Sequence, residues 1–174
     1  MSATPLGTRL FYAAAGAALL FTANAFSPIG LAWNRTESLP RGLYLSRSVS
    51  LSPPLARGDI ACFTYQSPEW AKGRYYHPGE VLCKHVLGMP GDAMSVVDGE
   101  NMICRDGKCA GAGKIRDTDS AGRPVPHVDY AGKTIPDSQY YLGSTRRPNS
   151  FDSRYLGFIP KNIIVKTIVP LLVE

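Results

Sequence analysis

The apolar positions of this chain fall into one long uncharged run followed by a series of short alternating segments. No charged residue occurs from 10 to 33; Arg9 precedes the run, and Arg35 and Glu37 follow it. Residues 10–26, rich in Ala and Leu, form its best helical part and are just long enough to span a bilayer. Pro28 and Gly30 then break the pattern. The run reads first as an uncleaved membrane anchor. The second reading is an export signal removed near Ala23-Asn24-Ala25, which has the small-x-small form of a cleavage site. A buried core helix is the third. In the first two readings everything after Trp33 leaves the cytoplasm.

Beyond residue 33 the hydrophobic period shifts to two. Strands are predicted at 42–46, within 57–65 where a turn feeds the strand, and at 81–87, 93–98, 101–104, 135–143 and 162–173. The last is β-branched and bent at Pro170. Residues 66–79 form a polar loop carrying Trp70, Tyr75 and Tyr76; residues 110–134 read as loop and short strand; residues 146–157 form a second polar loop. The expectation is a mainly β fold, with antiparallel strands behind one N-terminal membrane helix. Residues 1–33 would be the anchor or export segment and 34–174 a single β domain.

Composition supports this picture: 17 Gly and 14 Pro make the chain turn-rich, as β-proteins are. The formal net charge is +5, but acidic residues are interspersed and no Lys/Arg block stands out. That balance suits a surface beside anionic lipid and argues against a nucleic-acid partner. Cys104 and Cys109 flank Arg-Asp-Gly-Lys, and Asp106-Gly107 is a strong hairpin signal, so a disulfide between them is geometrically open and would fit an oxidising compartment. Cys62 and Cys83 sit inside predicted strands and read as small core residues. The cysteine and histidine spacing gives no metal site.

One strand breaks the alternation rule. At 81–87 a lysine, Lys84, stands among Val, Leu and Cys, and Met89-Pro90-Gly91-Asp92 turns the chain immediately afterwards. Burial disfavours the ammonium form and can lower a lysine pKa by several units from about 10.4, into the range of a general base. Ser38 lies on an irregular segment punctuated by Pro40 and Gly42, just ahead of a strand. His77, His85 and His127 read as surface residues.

Four motifs occur in order: Thr36-x-Ser38-x-Pro40-x-Gly42, Arg57-Gly58-Asp59-Ile60-x-x-Phe63, Lys84-His85-Val86-x-Gly88-x-Pro90-Gly91-Asp92, and Asn149-Ser150-x-Asp152-Ser153-Arg154-Tyr155-x-Gly157. Together, behind an apolar N-terminus, they resemble the type I signal peptidase family of serine proteases. The resemblance implies a signal-peptidase-type β domain and no cofactor. It implies Ser38 as nucleophile, Lys84 as general base, and an oxyanion hole made by the Ser38 N–H and the Thr36 hydroxyl. It further implies that Ser150 orients the lysine amine, with Asp152 and Arg154 bracing that loop. Three features depart from the housekeeping pattern. Gly143-Ser144-Thr145-Arg146 replaces Gly-Asp-Asn-Arg, His85 stands where an arginine is usual, and a large insertion is missing. In these the chain is closer to the TraF-type peptidases of conjugative plasmids, which mature a transfer-pilus subunit and can close it into a circle. The implied partners are a pilin precursor or other preprotein and the inner membrane, with the catalytic domain in the periplasm or, after signal cleavage, soluble there. The rival readings are a general signal peptidase and a non-enzymatic anchored factor for assembling a secretion channel.

Overall fold

The structure, a computed structural model, describes residues 6–8, 10–12, 14–16, 28–144 and 146–174. Ten strands follow one another: β1 Ile29–Asn34, β2 Gly42–Ser48, β3 Ile60–Thr64, β4 Val81–Gly88, β5 Ala93–Val97, β6 Glu100–Arg105, β7 Lys108–Lys114, β8 Gln139–Gly143, β9 Ile159–Pro160 and β10 Ile164–Val173. A short helix, α1, spans Ser153–Leu156. The strands make a seven-stranded sheet in the order β1-β2-β10-β3-β4-β8-β9 and a three-stranded sheet β5-β6-β7, every pair antiparallel.

Local chemistry fixes the turns. Asp98-Gly99 and Asp106-Gly107 each put two consecutive residues at positive φ, which suits the right-handed twist of the hairpins β5-β6 and β6-β7. Gly42 is required for packing as well as conformation. At φ 141° it pairs with Val173, and a Cβ there would lie 2.1 Å from the Leu172 carbonyl oxygen. The main core gathers Phe63, Tyr65, Val86, Leu142, Phe151 and Tyr155. A second cluster, with Ile103, Ile135 and Tyr141, fills the space toward the small sheet.

The structure differs from the sequence expectations in several places. Residues 29–34, counted with the uncharged run, form an edge strand paired with β2; they alternate exposed and half-buried positions, and the apolar residues simply fall on the outward face. The predicted strand at 135–143 starts only at Gln139, because Pro136 lacks a donor and Ser138 sits at φ 59°. Most of the expected membrane helix lies outside the described residues. Residues 6–8, 10–12 and 14–16 are helical, and no helix among the described residues is long and apolar enough to cross a membrane.

Cys62 and Cys83, expected as separate core residues, are joined by a disulfide, because the β3-β4 register sets them directly opposite with Cα atoms 4.0 Å apart. Cys104 and Cys109 form the second bridge across the β6-β7 hairpin. The sequence separations, 21 and 5, set the expected contributions. Loop-closure entropy gives about 3 kcal/mol for the first and about 2 kcal/mol for the second. Replacing Cys62 and Cys83 by Ala should therefore lower the denaturation midpoint more than replacing Cys104 and Cys109, measured by urea titration.

Candidate active site

Lys84 occupies the centre of β4, opposite Ala61, and is only 3% exposed. Its side chain ends with Nζ 2.6 Å from Ser38 Oγ. Desolvation lowers its pKa from 10.5 to about 8; the Asp152 carboxylate works against that shift and the Arg154 guanidinium adds to it. The amine is thus available as a base near neutral pH, and the serine hydroxyl is within reach to give up its proton.

Ser38 lies in the connection between β1 and β2, and much of that connection is held by one side chain. Asn34 Oδ1 accepts from the Thr36 N–H (3.1 Å) and the Thr36 hydroxyl (2.8 Å). Asn34 Nδ2 donates to the carbonyls of Thr36 (2.9 Å), Leu39 (3.2 Å) and Pro40 (2.8 Å). Leu39 anchors the segment in the core, and the Tyr44 hydroxyl donates to Pro40 O at 2.7 Å. The Ser144 hydroxyl donates to Ser38 O at 2.7 Å, tying the nucleophile segment to the end of β8. Neither Asn34 nor Ser144 was assigned a role from the sequence. The Asx-turn chemistry of Asn34 two residues before Thr36 was the available signal, and Ser144 was visible only as a departure from the usual acidic residue.

The structure brings Ser38 and Lys84 together and leaves the expected contact between Ser150 and Lys84 unmade. The Thr36 hydroxyl has a single proton, and it is committed to Asn34; the Ser38 main-chain N–H donates to no other group among the described residues. Ser150 is buried, but no hydrogen bond joins its hydroxyl to Lys84 or to anything else. Its main chain is fixed from both sides: its N–H donates to Arg147 O at 3.1 Å, and its carbonyl accepts from Arg154 Nη2 at 2.8 Å. The residue borders the cleft beside Ser38, with its hydroxyl buried.

Asp152 and Arg154 are both fully buried. Asp152 accepts from Arg154 Nε and Nη2, each at 2.9 Å, from the Arg154 N–H as the N-cap of α1, and from the Ser144 N–H. Arg154 donates onward to the carbonyls of Lys114, Pro148 and Ser150. One ion pair therefore ties β7, the 144–150 loop and α1 together. None of the three histidines contacts Ser38; His127 pairs at 3.5 Å with Asp117.

Two cavities meet at Ser38. The smaller, about 330 Å³, is bordered by Ala32, Tyr44, Val81, Leu82 and Ile168 and also reaches Lys84. The larger, about 470 Å³, runs away from the nucleophile over Tyr75, Tyr76, Phe151 and Tyr155. A polypeptide lying through both would pass the hydroxyl.

A mainly β chain that sets a serine hydroxyl against a buried amine has an arrangement that serine-peptidase chemistry can use. Residues 7–172 match the family model described as "Signal peptidase, peptidase S26", and the chain belongs to that family. It is 30% identical over 105 residues to a "Probable signal peptidase I-2" of Synechocystis sp., covering 60% of this chain and 42% of that protein; the match spans less than half the relative's length. It is 28% identical over 174 residues to a "Plasmid transfer protein TraF" of Escherichia coli, covering 93% of this chain and 94% of the other. A crystal structure of a signal peptidase I from Enterococcus faecalis matches 68% of this chain and 98% of its own at 24% identity, with a TM-score of 0.41.

Proposed function

We propose that this protein is a membrane-anchored peptidase of a conjugative transfer system, in which Ser38 attacks a pilin precursor and Lys84 moves the proton. The observation that carries the reading is the 2.6 Å approach of a buried, pKa-lowered Lys84 to Ser38 Oγ. The near full-length similarity to plasmid transfer proteins supports the transfer context. Lys84 takes the Ser38 proton as Oγ adds to the scissile carbonyl carbon. The Ser38 N–H stabilises the oxyanion, and the Thr36 hydroxyl joins it by turning from Asn34. The lysine ammonium then protonates the leaving amine, and an acyl-serine remains. Water releases a trimmed chain; the substrate's own amino terminus releases a circle.

The apolar outer face of the large sheet supports a bilayer setting for this chemistry. Register aligns Trp33 with Leu43 and Leu172, and Leu31 with Leu45 and Val169, in two rows across β1, β2 and β10. Trp33 is 64% and Leu172 73% exposed. Such rows suit the interfacial region of the inner membrane on its periplasmic side, with the two disulfides in keeping with an oxidising compartment.

The test is mass spectrometry of the pilin subunit from cells carrying the wild-type or the Ser38→Ala protein. The expected result is a precursor of full length with Ser38→Ala and, with the wild type, a trimmed subunit lacking one further water. Trimming without that loss means hydrolysis alone. Normal maturation by the Ser38→Ala protein would overturn the peptidase reading.

A further inference from the structure

The cleft that leads away from Ser38 is charged in a way that cleavage chemistry does not require. Four guanidinium groups line it: Arg74, Arg116, Arg123 and Arg147. They come from four separate stretches of chain, the loop after β3, the end of β7, the 118–124 turn and the β8-α1 loop, so no single run of sequence announces them. Two carboxylates, Glu37 and Asp119, share the lining.

Both carboxylates are already engaged. Glu37 receives Arg147 at 2.5 Å and Arg41 at 3.0 Å. Asp119 receives Arg123 Nε and Nη2, each at 2.8 Å, the Tyr75 hydroxyl at 2.9 Å, and the N–H groups of Ala121 and Arg123. Desolvation pushes the Asp119 carboxyl up, yet these donors outweigh it and hold it well below the usual carboxylate range. Arg123 and Arg147 therefore have carboxylate partners within the cleft. Arg74 is different: among the described residues its guanidinium donates only to a neutral carbonyl, Pro124 O, at 2.9 Å. Arg116 is exposed and makes no ion pair among the described residues. Two guanidiniums of the lining thus lack a counter-charge among the described residues, and they share the cleft with an aromatic floor where Phe151 stacks on Tyr155 and lies 4.6 Å from Tyr75. A peptide can rest on that floor, and low-dielectric walls strengthen an ionic contact made over it.

We infer that the segment of substrate bound in this cleft carries a carboxylate, received by Arg116 and Arg74. This rests on the peptidase reading and adds a substrate requirement to it. Arginine suits the task because its planar fork meets both carboxylate oxygens. The carboxylate has two possible sources, an Asp or Glu side chain near the scissile bond or the C-terminus of the substrate itself.

The experiment uses the full chain in detergent and a set of fluorogenic peptides built on a small-x-small cleavage motif. A single Glu is moved through every position, each peptide is paired with its Gln counterpart, and each is made with a free and an amidated C-terminus. One Glu position, or the free terminus, should raise kcat/KM by about three- to thirty-fold, through KM, and the advantage should shrink with added salt. A response to Glu in amidated peptides identifies the side chain; a response to the free terminus in Gln peptides identifies the chain end. In the Arg74→Gln, Arg116→Gln protein the members of each pair should be cleaved at equal rates. Equal rates already in the wild type, or a preference that survives the double substitution, would overturn the inference. So would a double substitution whose only effect is weaker retention on anionic phospholipid vesicles, which would assign these arginines to the membrane. The same pairs are titrated against the Ser38→Ala protein. Tighter binding of the Glu or free-terminus peptide supports the inference even if no peptide is turned over, whereas absence of all cleavage by the wild type counts against the peptidase reading alone.

Discussion

Lys84→Arg is expected to abolish cleavage, with kcat/KM lower by about 10⁴- to 10⁶-fold, the range seen when a member of a nucleophile–base unit is lost. The charge is kept, but a guanidinium does not deprotonate in a protein and cannot take the Ser38 proton. In the wild type, kcat/KM should rise with pH along a limb whose pKa is about 8, the value set mainly by desolvation of the amine. A limb near the free-lysine value would show that the amine is not desolvated, and an active Lys84→Arg protein would remove lysine from the role of base. Stability should mirror this. Between about 8 and 10.5 the unfolded chain binds more protons at Lys84 than the folded one, so stability rises with pH across that window. Below about pH 8 both states are protonated and the full cost of the buried ammonium is present. The difference between 10.5 and about 8 corresponds to about 3 kcal/mol. Lys84→Met should therefore unfold at a higher denaturant concentration than the wild type at pH 7, and the gain should vanish near pH 10.5.

The second large effect is expected at Arg154. Arg154→Met leaves the Asp152 carboxylate buried with half its bonds and strips the donor from the carbonyls of Lys114, Pro148 and Ser150. Breaking a buried pair from one side costs about 3–5 kcal/mol, and for a chain of this size that lowers Tm by roughly 6–20 °C. Removing both charges together, as Asp152→Asn with Arg154→Met, should cost less than the two single changes combined, because no unpaired charge remains. Calorimetry of the three variants decides it. Additive losses would mean that the two residues act separately.

The sequence made the β class, most strands and the residues at the centre of the site legible, for distinct physical reasons. Strand β4 announced itself by alternation, and Lys84 by breaking it. The hairpins β5-β6 and β6-β7 were marked by Asp-Gly pairs that tolerate positive φ. What stayed hidden depends on register and on side-chain direction. Nothing local says that Cys62 faces Cys83, since that follows from how β3 aligns on β4. Strand β1 was hidden because its apolar residues point outward, and an outward apolar stripe reads the same as the tail of a membrane segment. Asn34 was overlooked for a related reason: its hydrogen bonds reach residues two to six positions away around a turn whose shape no periodicity encodes. The Ser150 hydroxyl was expected on the lysine, but it is buried without a hydrogen-bond partner while Arg154 holds the Ser150 carbonyl, a contact made in three dimensions.

The strand order also governs when the enzyme comes into being. β10 lies between β2, which follows the serine segment, and β3, which leads to the lysine strand. Serine and lysine are therefore carried by two parts of the large sheet that do not pair with each other until a late piece of chain is inserted between them. From Ser38 to the start of that piece is 126 residues (164 minus 38), about 6–25 s of synthesis at 5–20 residues per second. For the last 80 of those residues (164 minus 84) a nascent chain carries both Ser38 and Lys84 but no framework that joins them. A translation product that stops between Lys84 and Ile164 therefore carries both residues without the strand that joins their two parts of the sheet.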